Sequence, residues 1–181
     1  MTKSKNILTI PNLLTMFRIV LIPVIVWFYF FCDKTYVAAS FLVVSGITDI
    51  ADGFIARHFN MVSDFGKALD PVADKLTQFV VLICLVTTSK WMIVPCLFLM
   101  IKEFISAFTA LKAIRKTGKV EGATWHGKLS TVILYLMIFV HMIWQNVPEY
   151  VSIAFVAVSV AMMMFSLIKY NVRNVRMYTE K

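Results

Sequence analysis

Six long apolar runs dominate the pattern of hydrophobic and polar positions along the chain. Each is close to the ~20 residues that an α-helix needs to span a hydrocarbon core. The runs cover residues 13–31, 36–55, 72–89, 91–111, 129–146 and 148–168. Hydrophobic residues make up 60% of the 181 residues and charged residues only 15%, too few to coat a water-soluble domain of this length. The pattern predicts an all-α integral membrane protein with six transmembrane helices.

The segment before the first run has a different character, because apolar and polar residues are mixed over residues 1–12 and lead to Pro11. This mixture is typical of a short interfacial segment. No small-residue cleavage site follows the first run, so we interpret that run as a retained span rather than a signal peptide. No repeat or linker interrupts the chain, and the longest break, 112–128, is short. A single membrane domain over residues 1–181 is therefore expected.

The charge distribution predicts an orientation. The net charge is +8, and with both termini on one side Lys34 and Lys90 are the only basic residues in loops on the other side. Basic residues beside membrane spans are retained in the cytoplasm. We therefore expect a multi-pass protein of the cytoplasmic membrane with both termini inside, and no nucleic-acid partner. The three cysteines lack metal-ligand spacing and are expected to be free thiols; they are Cys32, Cys84 and Cys96.

Four aspartates stand at helical spacing in and beside the second and third runs. Asp49 and Asp52 would lie about 60° apart on one helix face, and Asp70 and Asp74, at i and i+4, about 40° apart on another. The sequence predicts an antiparallel pair of helices whose acidic faces meet near the cytoplasmic surface. Asp64, in the turn between them, is expected to be a solvated loop residue.

Acids placed this closely need a counter-charge. Two carboxylates ~5 Å apart repel by roughly 3 kcal/mol at an effective dielectric of about 20. Either they take up protons or they bind cations, and oxygen ligands of this kind suit Mg²⁺ or Mn²⁺, with room for two ions. Gly53 and Gly66 would let a ligand approach the backbone, although small residues also serve helix packing. Arg57 offers a fork for phosphate. Pro71 either begins a helix or kinks one.

The spacing D-x2-D-G-x2-A-R-x8-G-x3-D-x3-D resembles the signature of the CDP-alcohol phosphatidyltransferases. The matching residues are Asp49, Asp52, Gly53, Ala56, Arg57, Gly66, Asp70 and Asp74. The resemblance implies transfer of a phosphatidyl group from CDP-diacylglycerol to an alcohol, with release of CMP, two divalent ions per site and a homodimer. It implies that the four aspartates bind metal and that Asp74 is also the catalytic base. The glycines, Ala56 and Arg57 would line the CDP pocket.

The segment 10–18, which leads into the first run, looks like the opening of phosphatidylglycerophosphate synthases and of the related cardiolipin synthases. Asn12, Thr15 and Arg18 fall at i, i+3 and i+6 and are expected to face the nucleotide. Asn12 could equally cap the helix, and Arg18 could extend to the membrane interface.

Three later segments, residues 102–104, 118–120 and 127–131, are similar to phosphatidylglycerophosphate synthases. Those enzymes, however, usually have Arg in place of Lys102 and Lys in place of Ser130. A glycerol phosphate acceptor carries nearly two negative charges and needs nearby cations. The candidates for binding it are Lys102, Lys112, Arg115 and Lys128. The simpler alternative, a positive-inside loop without a ligand, explains Lys112 and Arg115 equally well.

The expected reaction joins CDP-diacylglycerol to sn-glycerol 3-phosphate, giving phosphatidylglycerol phosphate and CMP. A close alternative uses phosphatidylglycerol as the acceptor and makes cardiolipin. A different class, a cation or proton transporter, would place acids across the depth of the membrane. Here the four acids lie toward one face, and Glu103 is the only other acid well inside a run. The pattern favours the enzyme.

Overall fold

The computed structural model describes residues 9–59, 64–117, 124–144 and 146–179, and the regular structure of these residues is entirely helical. The helices are α1 (Ile10–Phe30), α2 (Thr35–His58), α3 (Asp64–Val86), α4 (Ile93–Thr117), α5 (Trp125–Ile143) and α6 (Glu149–Thr179). A short 3₁₀ helix, Lys90–Met92, precedes α4. The prediction of an all-α protein is confirmed. The predicted interfacial segment lies largely outside the described residues.

Five helical stretches among the described residues are long and apolar enough to cross a membrane. They are Ile10–Phe30, Thr35–Ala56, Lys90–Lys116, Trp125–Ile143 and Glu149–Arg176. The third predicted span, 72–89, is not among these five stretches. It corresponds to α3, which begins earlier and carries charged residues in its first half. The chain is therefore a multi-pass membrane protein by the length and composition of its helices.

The start of α1 excludes the capping role predicted for Asn12, and its role at the nucleotide stays a prediction. Thr9 is the N-cap of α1, and its hydroxyl accepts a hydrogen bond from the Asn12 backbone N–H at 3.5 Å. Pro11 stands in the first turn, where a missing N–H costs nothing. Asn12 itself is buried, so capping is performed by Thr9. Pro71 lies inside α3 rather than at its start.

The chain forms two compact units, one up to Cys84 and one from Leu85 onward. In the first unit α1 packs against α2. Its buried residues include Leu21 and Ile25 of α1 and the small residues Ala38 and Ala39 of α2, and small residues let helix backbones approach closely in a bilayer. The expectation of a single domain stays a prediction.

In the second unit α6 packs against both α4 and α5. Met137 and Ile138 of α5 and Met163 of α6 are fully buried there. Large apolar side chains are nevertheless exposed on several helices, for example Phe104 and Ile50. A surface of this kind suits contact with lipid rather than with water.

Candidate active site

The guanidinium of Arg18 on α1 lies among the carboxylates of α2 and α3. Nη1 donates to Asp49 Oδ1, and Nη2 donates to Asp52 Oδ2 at 2.8 Å. Nη2 also lies 3.8 Å from Asp70 Oδ1. Only 3% of the Arg18 side chain is exposed, so this charge is paired inside the protein. Side chains of three consecutive helices therefore meet at one cationic group.

One turn earlier on α1, the Thr15 hydroxyl lies at the same cluster. Thr15 Oγ1 is 2.5 Å from Asp70 Oδ1, 3.4 Å from Asp52 Oδ2 and 3.1 Å from the carbonyl of Pro11. A hydroxyl has one hydrogen to donate, and the shortest contact is the one expected of a hydrogen bond to a carboxylate. Thr15 and Arg18 are i and i+3 on one helix face. Together they bring Asp52 and Asp70 to the same spot.

The carboxylate of Asp74 contacts two side chains of its own helix. Gln78 Nε2 donates to both Asp74 carboxylate oxygens, at 3.1 and 3.0 Å. Lys75 Nζ lies 3.6 Å from Asp74 Oδ2 and 3.4 Å from Gln78 Oε1. Gln78 is fully buried, so its amide fixes the orientation of the Asp74 carboxylate. Gln78 was not among the predicted site residues, although a polar residue four positions after Asp74 in an apolar run was a usable signal.

The acids differ in their access to solvent. Asp52 is 5% exposed, whereas Asp49 and Asp70 are 49% and 44% exposed. The cluster is therefore closed on the side of Asp52 and open on the side of the other two carboxylates. A charged ligand has an approach to these oxygens without first opening the helix packing.

The donor atoms of the cluster fit a hard divalent cation. They are carboxylate oxygens and one hydroxyl oxygen, the ligand type that Mg²⁺ and Mn²⁺ prefer. In the present arrangement Arg18 stands between the acids, and no three His, Cys, Asp or Glu side chains among the described residues are close enough to hold a metal ion. A divalent ion would compete with Arg18 for the same oxygens.

The remaining CDP-pocket candidates lie on the same three helices. Gly53 and Ala56 are partly buried on α2, and Gly66 is buried near the start of α3. Asn12 is buried one turn before Thr15 on α1. The side chain of Arg57 lies outside the described residues.

The acceptor candidates belong to the second unit. Lys102 is buried on α4, with Nζ 2.9 Å from Glu103 Oε1. Lys112 Nζ lies 4.4 Å from the centroid of the Phe108 ring, one turn away. Arg115 and Lys128 are exposed.

Comparison with known proteins identifies the family. Residues 8–169 match the CDP-alcohol phosphatidyltransferase family, and the chain belongs to it. Two relatives are named "CDP-diacylglycerol--glycerol-3-phosphate 3-phosphatidyltransferase". The protein of Wigglesworthia glossinidia brevipalpis is 31% identical over 170 residues, covering 90% of this chain and 93% of the relative. That of Salmonella typhimurium is 34% identical over 169 residues, covering 89% and 92%.

A protein of the same name from Rickettsia bellii is 42% identical over 98 residues, covering 53% of this chain and 54% of that relative. This third match therefore spans about half of each chain. Family membership makes the chain a transferase of phospholipid biosynthesis, so the transporter interpretation is not retained. The family generally uses divalent metal ions.

Proposed function

We propose that the chain transfers the phosphatidyl group of CDP-diacylglycerol to sn-glycerol 3-phosphate, forming phosphatidylglycerol phosphate and CMP. The names of relatives aligned over about nine tenths of this chain support this choice of substrates. The observation that carries the proposal is the meeting of Asp49, Asp52 and Asp70 at Thr15 and Arg18. A group of acids that is closed on one side and open to solvent on the other is suited to hold cations against a diphosphate.

Each aspartate has a proposed role. Asp49, Asp52, Asp70 and Asp74 hold one or two Mg²⁺ or Mn²⁺ ions. Bound there, the ions would neutralise the diphosphate and the leaving CMP. Asp74 also accepts the proton of the attacking hydroxyl, and Gln78 orients its carboxylate for that task. A bond forms between the acceptor oxygen and the phosphatidyl phosphorus, while the bond from that phosphorus to the CMP oxygen breaks.

The residues proposed to bind the donor nucleotide belong to the same three helices as these acids. Gly53, Ala56 and Gly66 leave room beside the backbone. Polar contacts come from Asn12, Thr15, Arg18 and Arg57. Arg18 is the best placed for a phosphate oxygen, because its fork already lies at the acids and guanidinium groups pair well with phosphate.

The acceptor is proposed to be bound by Lys102, Lys112, Arg115 and Lys128. Their positive charge matches the nearly doubly charged glycerol phosphate. We further propose a cytoplasmic membrane location with the site and both termini inside, since the basic residues are concentrated on that side. Assembly as a homodimer stays a prediction.

The proposal is tested by CMP release from CDP-diacylglycerol in mixed micelles of the purified chain. We expect release only with Mg²⁺ or Mn²⁺ and only with glycerol 3-phosphate, and none after chelation. Asp74→Asn should lower turnover by about 10²–10⁴-fold, the range of general base catalysis. Asp33→Asn is the matched control, because Asp33 is an exposed loop acid at φ 51°, a conformation that Asn tolerates.

Release with phosphatidylglycerol in place of glycerol 3-phosphate would replace the proposed product by cardiolipin. Equal turnover of Asp74→Asn and the parent chain would remove the proposed base. Release without an added acceptor would contradict the transfer reaction.

A further inference from the structure

A cavity of about 450 Å³ lies in the unit that begins at Leu85, apart from the residues of the transferase site. It is lined by the end of α3, the 3₁₀ helix and the residues that join and flank α5 and α6. None of the residues assigned to the transferase site lines it. Its volume is in the range of small-molecule pockets, so the cavity is large enough to hold a ligand of its own.

The floor of the cavity is a chain of hydrogen bonds with a defined direction. His141 Nδ1 donates to the Met137 carbonyl at 2.8 Å, because a carbonyl can only accept. In the neutral ring Nε2 is therefore an acceptor, and the Ser152 hydroxyl donates to it at 3.0 Å. Ser89 Oγ, 3.3 Å from Ser152 Oγ, is then the donor of that pair. The hydroxyl hydrogens of Ser89 and Ser152 are therefore directed along this chain toward His141. The lone pairs of the Ser89 oxygen remain for a ligand that donates a hydrogen bond.

The mouth of the cavity already holds an ammonium group. Lys90 Nζ lies 3.6 Å from Glu149 Oε1 and 5.6 Å from the centroid of the Trp91 ring. Trp91 Nε1 donates to the same carboxylate oxygen at 2.9 Å. The Lys90 and Glu149 side chains are 80% and 63% exposed, and such surface pairs are weak. A ligand ammonium can take the place of Lys90 on the carboxylate and the indole face.

We propose that this cavity binds the headgroup of a zwitterionic, ammonium-bearing phospholipid. The ammonium is held by Glu149, the Trp91 ring and the Ser89 oxygen, and the displaced Lys90 pairs with the lipid phosphate. An anionic lipid lacks the ammonium and places its phosphate toward Glu149, so it fits less well. A lipid rather than a soluble ligand is indicated because the cavity lies at the ends of two candidate spans, beginning at Lys90 and Glu149. Tryptophans at such ends are typical of the membrane interface.

The test uses the purified full chain in detergent, with added phosphatidylethanolamine or phosphatidylglycerol and native mass spectrometry as the readout. We expect the parent chain to retain phosphatidylethanolamine preferentially. Glu149→Gln should lower its occupancy at least fivefold, whereas Asp33→Asn, an exposed acid on another loop, should leave it unchanged. The thermal midpoint of each variant shows whether it is folded, and Trp91→Leu gives the same test if Glu149→Gln is not.

Equal retention by folded Glu149→Gln and Trp91→Leu would overturn the proposal, as would equal retention of the two lipids by the parent chain. Soluble glycerophosphoethanolamine separates the two sources of this chemistry. We expect it to displace the lipid only at much higher concentration, and displacement at an equal concentration would overturn the assignment to a lipid.

Discussion

Arg18 is the residue on which the charge balance of the acidic cluster depends. Two of its contacts are hydrogen-bonded ion pairs, with Asp49 and Asp52. Breaking a buried pair by removing one partner typically costs about 3–5 kcal/mol, because the other charge is left without compensation. The sequence allowed Arg18 to extend to the membrane interface, but its buried side chain excludes that alternative. Its nearest partners are the acids themselves.

Replacing Arg18 with Gln should increase the stabilisation that Mg²⁺ gives to the folded chain. Without the guanidinium the acids are more negative, and the ion no longer competes with it for their oxygens. Each tenfold gain in affinity adds about 1.4 kcal/mol of stabilisation when the ion is in excess. We expect the variant to be less stable than the parent chain without Mg²⁺ and to gain more in thermal midpoint when Mg²⁺ is added.

The control for this experiment is Arg176→Gln, which removes an exposed arginine near the end of α6. Its response to Mg²⁺ should equal that of the parent chain. An unchanged or smaller response of Arg18→Gln would show that the ion does not bind beside Arg18. Because the readout is stability, the result does not depend on which acceptor the enzyme uses.

Other single residues show what a sequence can and cannot predict. The spacing of the four aspartates was informative because a helix fixes which positions share a face. The N-cap of α1 could not be predicted in the same way. Whether Thr9 or Asn12 occupies that position depends on the residue at which the helix begins. Gln78 was missed because an isolated amide in an apolar run has many uses. Only its contact with Asp74 makes its role clear.

Among the helices, α1 connects α2 and α3, because Thr15 contacts a carboxylate on each of them. Thr77 on α3 provides a matched comparison, because both threonines are buried and the hydroxyl oxygen of each lies close to the carbonyl four residues earlier, at 3.1 Å for Thr15 and 2.9 Å for Thr77. Only Thr15 also contacts carboxylates. Thr15→Val should therefore lower the free energy of unfolding by about 1.5–3 kcal/mol more than Thr77→Val, the usual contribution of a hydrogen bond to a charged group.

The comparison is made by denaturant unfolding of both variants in the same mixed micelles. Thr15→Ser, which keeps the hydroxyl, should recover most of the lost stability. Equal losses for the two valine variants would mean that the carboxylate contacts of Thr15 contribute nothing to the assembly of the three helices.

The lengths of α3 and α6 explain why predicted spans and observed helices differ at their ends. The third apolar run begins at residue 72, whereas α3 begins at Asp64. Acidic residues in a first turn favour a helix without making it apolar. Similarly, α6 continues to Thr179 through a basic segment after the last run. Hydropathy therefore located the apolar part of each helix but not its polar extension.

A polar network between α4 and α6 was beyond the reach of the sequence for a different reason. Thr109 Oγ1 lies 2.9 Å from Asn171 Oδ1, and Asn174 Nδ2 donates to Thr109 Oγ1 at 3.1 Å. Thr109 is 62 positions from Asn171 and 65 positions from Asn174 in the sequence. Hydrogen bonds between membrane helices depend on which helices are neighbours. Neither composition nor periodicity predicts which helices pack side by side.

At the scale of the whole molecule, the family similarity extends over residues 8–169 and therefore covers both compact units. The sequence could predict the class of protein because the acidic signature has fixed spacing within two consecutive helices. The binding of the acceptor could not be predicted with the same certainty, because its candidates come from α4 and α5, far along the chain from the aspartates. Orientation in the membrane rests on the distribution of basic residues.

The chain contains a natural reporter of that orientation. Cys32 is partly exposed in the turn after α1, whereas Cys84 and Cys96 are buried. If both termini are cytoplasmic, this turn lies outside, and a membrane-impermeant maleimide should label intact cells at Cys32 alone. Cys32→Ser should abolish the label. Adding Lys116→Cys to that variant places a thiol at the exposed end of α4, and this thiol should react only after permeabilisation. The reverse pattern would contradict the proposed orientation, in which the aspartates face the cytoplasm.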